Sequence, residues 1–300
     1  MHVSPLTPHP PLSEPELRAV GPRIRMLLPK LTRREARVVE LMLGSRDFTE
    51  ATPLQMVATA ADVSEAMVVK IAKKLGYDGY RDFRSSLAAY NRLPIVELHQ
   101  ELSPDDSVAT VTQKVFHTSI QALEETLAIL DPDDIERAAQ LLHGARARDF
   151  YGLGGSAQIA RDAAHKFLRI GVRTTVHDDA HMMAMSASML CRGDLVVAFS
   201  HSGETDAVID AVRIARDAGA SIVVITNHGG STLAEMADFT LCSTAQGSLL
   251  TGENAAARVA QLNIIDVIFV AVAHIEPERA RANLDRTIDA VRNKSTTQRR

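Results

Sequence analysis

Two short stretches carry the residue types that can hold an anion without a metal. Gly152-Leu153-Gly154-Gly155-Ser156 and Ser200-His201-Ser202-Gly203-Glu204-Thr205 both mix glycines with hydroxyls, and each leads into a helical pattern. Glycine lets the backbone approach a ligand closely. A helix start presents unpaired N–H groups at the positive end of its dipole, and hydroxyls add neutral donors, so each stretch is a candidate phosphate cradle. The segments expected to act are residues 154–156 in the first stretch and 200–205 in the second. Neither stretch has the Lys of a nucleotide P-loop, so hydroxyls and N–H groups, rather than Lys or Arg, are expected to hold a dianion, with Glu204 turned away. Gly152, Gly154 and Ala157 also satisfy a G-x-G-x-x-A pattern, with Asp178 placed as a ribose-binding acid. That dinucleotide reading leaves the hydroxyl-rich second stretch unexplained.

A different chemistry is suggested near the amino end. The spacing Leu54, Ala58, Val63, Ser64, Val68, Ile71, Leu75 fits a helix–turn–helix, with a small residue where the helices cross and Ser64 capping the second. Burying Val68, Ile71, Ala72 and Leu75 turns Glu65, Ala66, Val69, Lys70, Lys73 and Lys74 outward. In a major groove, Glu65, Ala66, Val69 and Lys70 would meet base edges, and Lys73 and Lys74 would meet phosphates. Asp62 occupies the turn position that often holds Gly. Charge agrees in sign: residues 1–92 carry +4 and the remainder −8, within a net charge of −4. The plainer alternative is a small helical packing module whose lysines are merely solvated.

These residues need scaffolds of two kinds. Helical periodicity is expected over residues 32–43, 54–61, from 64 onward, and over 80–91, 107–130 and 132–143. After residue 148, short apolar runs at 150–153, 172–176, 195–199, 222–225 and 239–241 alternate with helical stretches at 157–170, 181–190, 205–218 and 232–237. Apolar strands separated by helices indicate a parallel sheet covered on both faces. In the flavodoxin-like order 2-1-3-4-5 both polar stretches fall at the carboxyl ends of strands beside the switch point. The fold class is thus an all-α helix–turn–helix domain followed by an α/β flavodoxin-like five-stranded parallel sheet. The expected boundaries are a flexible Pro-rich tail over 1–29, the DNA-binding domain over 30–104, a helical linker over 105–145, the α/β domain over 146–280 and a tail over 281–300.

Other classes are set aside on composition. With 46% hydrophobic and 23% charged residues the chain is not disordered throughout. The most apolar stretch, 255–275, contains Arg258, Gln261, Asn263 and Asp266, so a membrane span is not expected, nor is a signal peptide. Cys191 and Cys242 make no disulfide framework and no metal-ligand cluster, so a reduced, cytoplasmic chain without metal or cofactor is expected. The apolar residues of 255–275 wrap around the helix, from which a homodimer or homotetramer is expected.

The order of "VSEAMVVKIAKKLGYDGYRDF", "GLGGSAQIARDAAHKFLRIG" and "DLVVAFSHSGETDAVIDAVRIARDAGASIVVITN" resembles the RpiR family of bacterial transcriptional regulators over residues 30–280. The Ser-x-Ser-Gly-Glu-Thr stretch looks like that of sugar isomerase (SIS) domains. The resemblance implies double-stranded operator DNA as one partner, a phosphosugar effector as another, and Ser156, Ser200, His201, Ser202 and Thr205 as the phosphate site. The alternative is a phosphosugar isomerase, for which His181, His201 and Glu253 are the candidate bases.

Overall fold

The computed structural model describes residues 12–94, 96, 102–245 and 255–292. It divides into two compact units, one of Met1–Ile24 with Leu31–Glu97, the other of Arg25–Lys30 with Leu98–Arg300.

The first unit is helical: α1 (Glu14–Leu27, shared with the second unit), α2 (Arg33–Glu40), α3 (Leu54–Ala60), α4 (Glu65–Lys74) and α5 (Tyr80–Asn91). Thr32 caps α2 in a capping box with Glu35, and Ser64 caps α4 by accepting from the Met67 N–H. The core gathers Val38, Val39, Val57, Ala58, Val68, Ile71, Ala72, Phe83 and Leu87. Asp62 adopts φ +52 between α3 and α4, the left-handed conformation that Asp tolerates in place of Gly.

Within the flexible tail expected over 1–29, α1 is helical from Glu14 to Leu27, and residues 1–11 lie outside the described residues. Ser13 and Glu16 close its first turn, and Ala19, Val20 and Ile24 are buried at helical spacing. Pro15 sits in the first turn, where no N–H partner is needed, and Pro22 is accommodated inside the helix.

The second unit contains α6 (Val108–Leu127), α7 (Pro132–Gly144), β1 (Arg148–Gly152), α8 (Gly155–Arg169), β2 (Thr175–His177), α9 (Ala180–Met189), β3 (Leu195–Phe199), α10 (Asp206–Asp217), β4 (Ser221–Thr226), α11 (Thr232–Met236), β5 (Phe239–Cys242), α12 (Ala255–Ile275) and α13 (Pro277–Arg292). The five strands run parallel in the order β2-β1-β3-β4-β5. On one face Phe150, Val197, Ile225 and Leu241 pack with Ala139 of α7, Ile159 of α8 and Ile264 of α12. On the other, Tyr151, Val196, Ala198 and Val224 pack with Met183 of α9, Val212 of α10 and Leu233 of α11. Alternate residues of buried parallel strands feed opposite cores, hence the continuous apolar runs.

Three further expectations are revised. The 105–145 "linker" belongs to the second unit, because Ile135, Ala138, Ala139 and Leu142 of α7 join the sheet's core. Of the tail over 281–300, the residues to Arg292 are helical, Asn283 donates to the Ile170 carbonyl, and residues 293–300 lie outside the described residues. Strand β2 starts at Thr175 rather than 172, because Gly171 at φ +83 and the Val172 N–H bonded to the Phe167 carbonyl form the exit of α8. Helix α12 is long and apolar enough to cross a membrane by length and composition, yet Ala257, Ala260, Ile264, Ile265, Ile268 and Val272 are buried against the domain's own helices and sheet.

Candidate functional site

The two glycine- and hydroxyl-rich stretches become neighbouring loops at the carboxyl ends of β1 and β3, strands paired from Arg148↔Leu195 to Gly152↔Phe199. Gly154 takes φ +55, ψ −122 as the N-cap of α8, so no capping side chain covers the helix start. Gly152 also approaches closely: a Cβ on it would stand 3.0 Å from the Ser156 carbonyl carbon and oxygen. In the second loop Gly203 has φ +68, and a Cβ there would fall 2.0 Å from the Ser231 Oγ, so only glycine fits. Thr205 begins α10 without capping its N–H groups, which leaves its hydroxyl facing Ser200 at 3.3 Å.

Ser200 is buried, and its Oγ accepts from the Gly203 N–H at 3.1 Å; the Ser202 Oγ accepts from the Glu204 N–H at 3.2 Å. Both hydroxyls therefore shape the loop through their lone pairs while keeping an O–H to donate. The Glu204 carboxylate accepts from the Thr232 N–H and hydroxyl, each at 2.7 Å, and so is held on α11.

His201 and His228, which follows β4, stack edge-on with centroids 5.7 Å apart. Burial, then His228, then Arg258 lower the His201 pKa to about 4, so its imidazole is neutral at pH 7. Burial likewise lowers that of His228, opposed by the Arg25 backbone and by Glu204. Sequence reasoning missed His228 and Arg258, as it missed the buried Arg25, which pairs with Glu125 and donates to Thr244. Their partners lie on other elements, and no local pattern marks them.

The polar residues after β2 have structural partners: Asp178 pairs with Arg161, Asp179 caps α9 by accepting from the His181 and Met182 N–H groups, and His177 lies 3.5 Å from Asp149. Glu253 and the 246–254 stretch lie outside the described residues.

In the first unit, Ala58 is buried on α3, Val63 is half-buried in the turn, and Ser64 caps α4. Glu65, Ala66, Lys70 and Lys73 are exposed and Val69 is half-buried on the outer side of α4. Lys74, expected to meet a phosphate, has its Nζ 2.7 Å and 2.8 Å from the two carboxylate oxygens of Glu35, a residue only 4% exposed. An unpaired buried carboxylate would be costly, so the lysine at the end of the helix is drawn inward.

A helix–turn–helix joined in one chain to an α/β domain with two glycine- and hydroxyl-rich loops at its strand ends defines the class of DNA-binding transcriptional regulators with an added α/β domain. Residues 19–92 match the family "Helix-turn-helix domain, rpiR family", and residues 141–271 match "SIS domain". The HTH-type transcriptional regulator RpiR of Escherichia coli K12 is 42% identical over 268 residues, 89% of this chain and 90% of that one. An uncharacterized HTH-type transcriptional regulator of Thermotoga maritima is 33% identical over 90% of this chain and 96% of its own. Among solved structures, the Vibrio vulnificus NanR protein complexed with ManNAc-6P superposes with a TM-score of 0.59 at 27% identity, covering 92% of this chain and 99% of that one. The chain belongs to the RpiR family of transcriptional regulators.

Proposed function

We propose that the chain controls carbohydrate-metabolism genes by binding operator DNA through α4 and by sensing a phosphorylated sugar or sugar acid at the two loops of the SIS unit. The observation that carries this reading is the convergence of two uncapped helix starts and their hydroxyls at the carboxyl ends of the adjacent strands β1 and β3, with Glu204 held away. A relative of similar fold complexed with ManNAc-6P supports the ligand class. Gly154, Gly155, Ser156, Ser200, His201, Ser202 and Thr205 form the effector site. Glu65, Ala66, Val69 and Lys70 read bases, Ser64 sets the start of their helix, and Lys73 meets phosphate.

Sensing needs no turnover, because a ligand that binds two states unequally shifts their populations. We infer a non-enzymatic, cytoplasmic homodimer or homotetramer that places two copies of α4 on two half-sites. Val259, Val267 and Val270 on α12 and Phe116 and Leu127 on α6 are exposed apolar residues that suit such an association.

The test is in vitro selection of DNA from a random pool by the full chain, followed by fluorescence anisotropy on the selected site with a phosphosugar panel. The reading expects a palindromic site whose affinity changes with one or a few sugar phosphates. Conversion of a phosphosugar by the purified protein, followed by NMR, would instead favour an isomerase.

A further inference from the structure

Among the residues proposed to hold the effector, none is a permanent cation, yet one stands beside them. Arg258 lies in the first turn of α12, and its guanidinium reaches across to the start of α8. Its Cζ, Nε and Nη2 lie 3.5, 3.6 and 3.7 Å from the point where a Cβ on Gly155 would stand. The guanidinium thus lies at van der Waals distance over the helix entrance. Arg258 also acts on the second loop, being one of the groups that lower the His201 pKa. It is thus electrostatically close to both loops.

We propose that Arg258 is a direct ligand of the effector's phosphate, closing the site from the α12 side and selecting phosphorylated over unphosphorylated sugars. The proposal rests on the effector site described above and corrects the expectation that hydroxyls and N–H groups act without Lys or Arg. Like-signed groups meet at this point. The positive end of the α8 dipole, left uncapped by Gly154, faces a guanidinium that is exposed and has no carboxylate partner among the described residues. The loop's own acid, Glu204, is bonded to Thr232. A helix start and a cation side by side repel each other until an anion sits between them, and then both attract it. A guanidinium suits this task because its fork of N–H donors matches two phosphate oxygens at once. A neutral sugar would gain nothing from the pair and would leave the repulsion in place.

The experiment titrates the full chain with inorganic phosphate by thermal shift and calorimetry, comparing wild type with Arg258→Ala, Arg258→Lys, Arg258→Glu and the Ser200→Ala/Ser202→Ala double variant. Arg258→Ala should weaken phosphate binding by about 10- to 100-fold, the range for losing one charge-assisted hydrogen-bonding group. Arg258→Lys should recover part of the affinity and Arg258→Glu should abolish it, while the melting midpoints without phosphate should not fall below that of wild type, because the side chain is exposed and its charge opposes the start of α8. Recovery by lysine is the readout that a merely structural role would not give. If the serine variant loses phosphate affinity and Arg258→Ala does not, the site stands and the role of Arg258 is overturned. If wild type binds neither inorganic phosphate nor any sugar phosphate, the site reading and this inference fall together.

Discussion

Replacing Lys74 by methionine separates a structural lysine from a DNA-contacting one. Glu35 is buried, and the Lys74 hydrogen bond, followed by the Thr32 backbone, lowers its pKa from 4.5 to about 2. At about 1.4 kcal/mol per unit, that depression corresponds to roughly 3 kcal/mol of preference for the ionised, paired state. The figure must be reduced. The Lys74 side chain is 36% exposed, so water screens the pair, and the Thr32 N–H and hydroxyl still serve the carboxylate in the variant. Met preserves the apolar stem, which leaves about 1–2 kcal/mol of destabilisation at pH 7. Because the folded-state pKa is depressed, this stabilisation is fully present above about 4.5 and is lost as the pH falls toward 2. The deficit of Lys74→Met relative to wild type should therefore be constant near neutrality and close with acidification through that window. Urea unfolding followed by tyrosine signal suits the measurement, since Tyr77, Tyr80 and Tyr90 lie in the first unit and only Tyr151 in the second. The salt dependence of DNA affinity should keep its slope once folding is accounted for. Unchanged stability together with a slope smaller by about one counterion would refute the reasoning and return Lys74 to the phosphate backbone.

Lys73→Ala should do the opposite, reducing the slope of log affinity against log salt by about 0.9 with no change in stability, as salt-series anisotropy would show. Gly203→Ala forces a methyl group to within 2.0 Å of the Ser231 Oγ at φ +68. It should cost about 1–3 kcal/mol in thermal or urea unfolding and abolish the effector response while DNA binding without effector persists at permissive temperature. Light scattering at micromolar concentration should report a dimer or larger species; a monomer would remove the expectation of a palindromic operator.

Much of the second unit was legible because buried parallel strands leave unmistakable signals. The apolar run at Leu195–Phe199 is β3 to the residue, and the apolar stretch Ala255–Ile275 is α12. Ser64 and Thr32 betrayed their helix starts, since a hydroxyl before a periodic run satisfies N–H groups that nothing else can reach. What escaped was whatever depends on partners distant in the chain. The proline density before Lys30 obscured α1, whose buried face of Ala19, Val20 and Ile24 is visible only once there is a core to receive it. Lys74 reads as one of several helix-end lysines until folding brings Glu35, 39 positions earlier, against it. Arg258 reads as a polar interruption of an apolar helix, and only the approach of its guanidinium to Gly155 suggests a role. The loop glycines and hydroxyls were identifiable because their local chemistry is distinctive, but the structural use of the Ser200 and Ser202 lone pairs was not.

The central claim is that one phosphate-holding site and one DNA-reading helix are energetically coupled, and reciprocity gives its most direct test. The measurement is calorimetric titration of the tightest-binding sugar phosphate into free protein and into the protein–operator complex, for wild type and the Ser200→Ala/Ser202→Ala variant. Effector affinity should differ between free and DNA-bound wild type by the same factor by which the effector alters operator affinity. The variant should lose about one to three orders of magnitude in effector affinity, part of it through the loosened Gly203 N–H. Equal effector affinity with and without operator, or a variant that binds the sugar phosphate as tightly as wild type, would contradict the account.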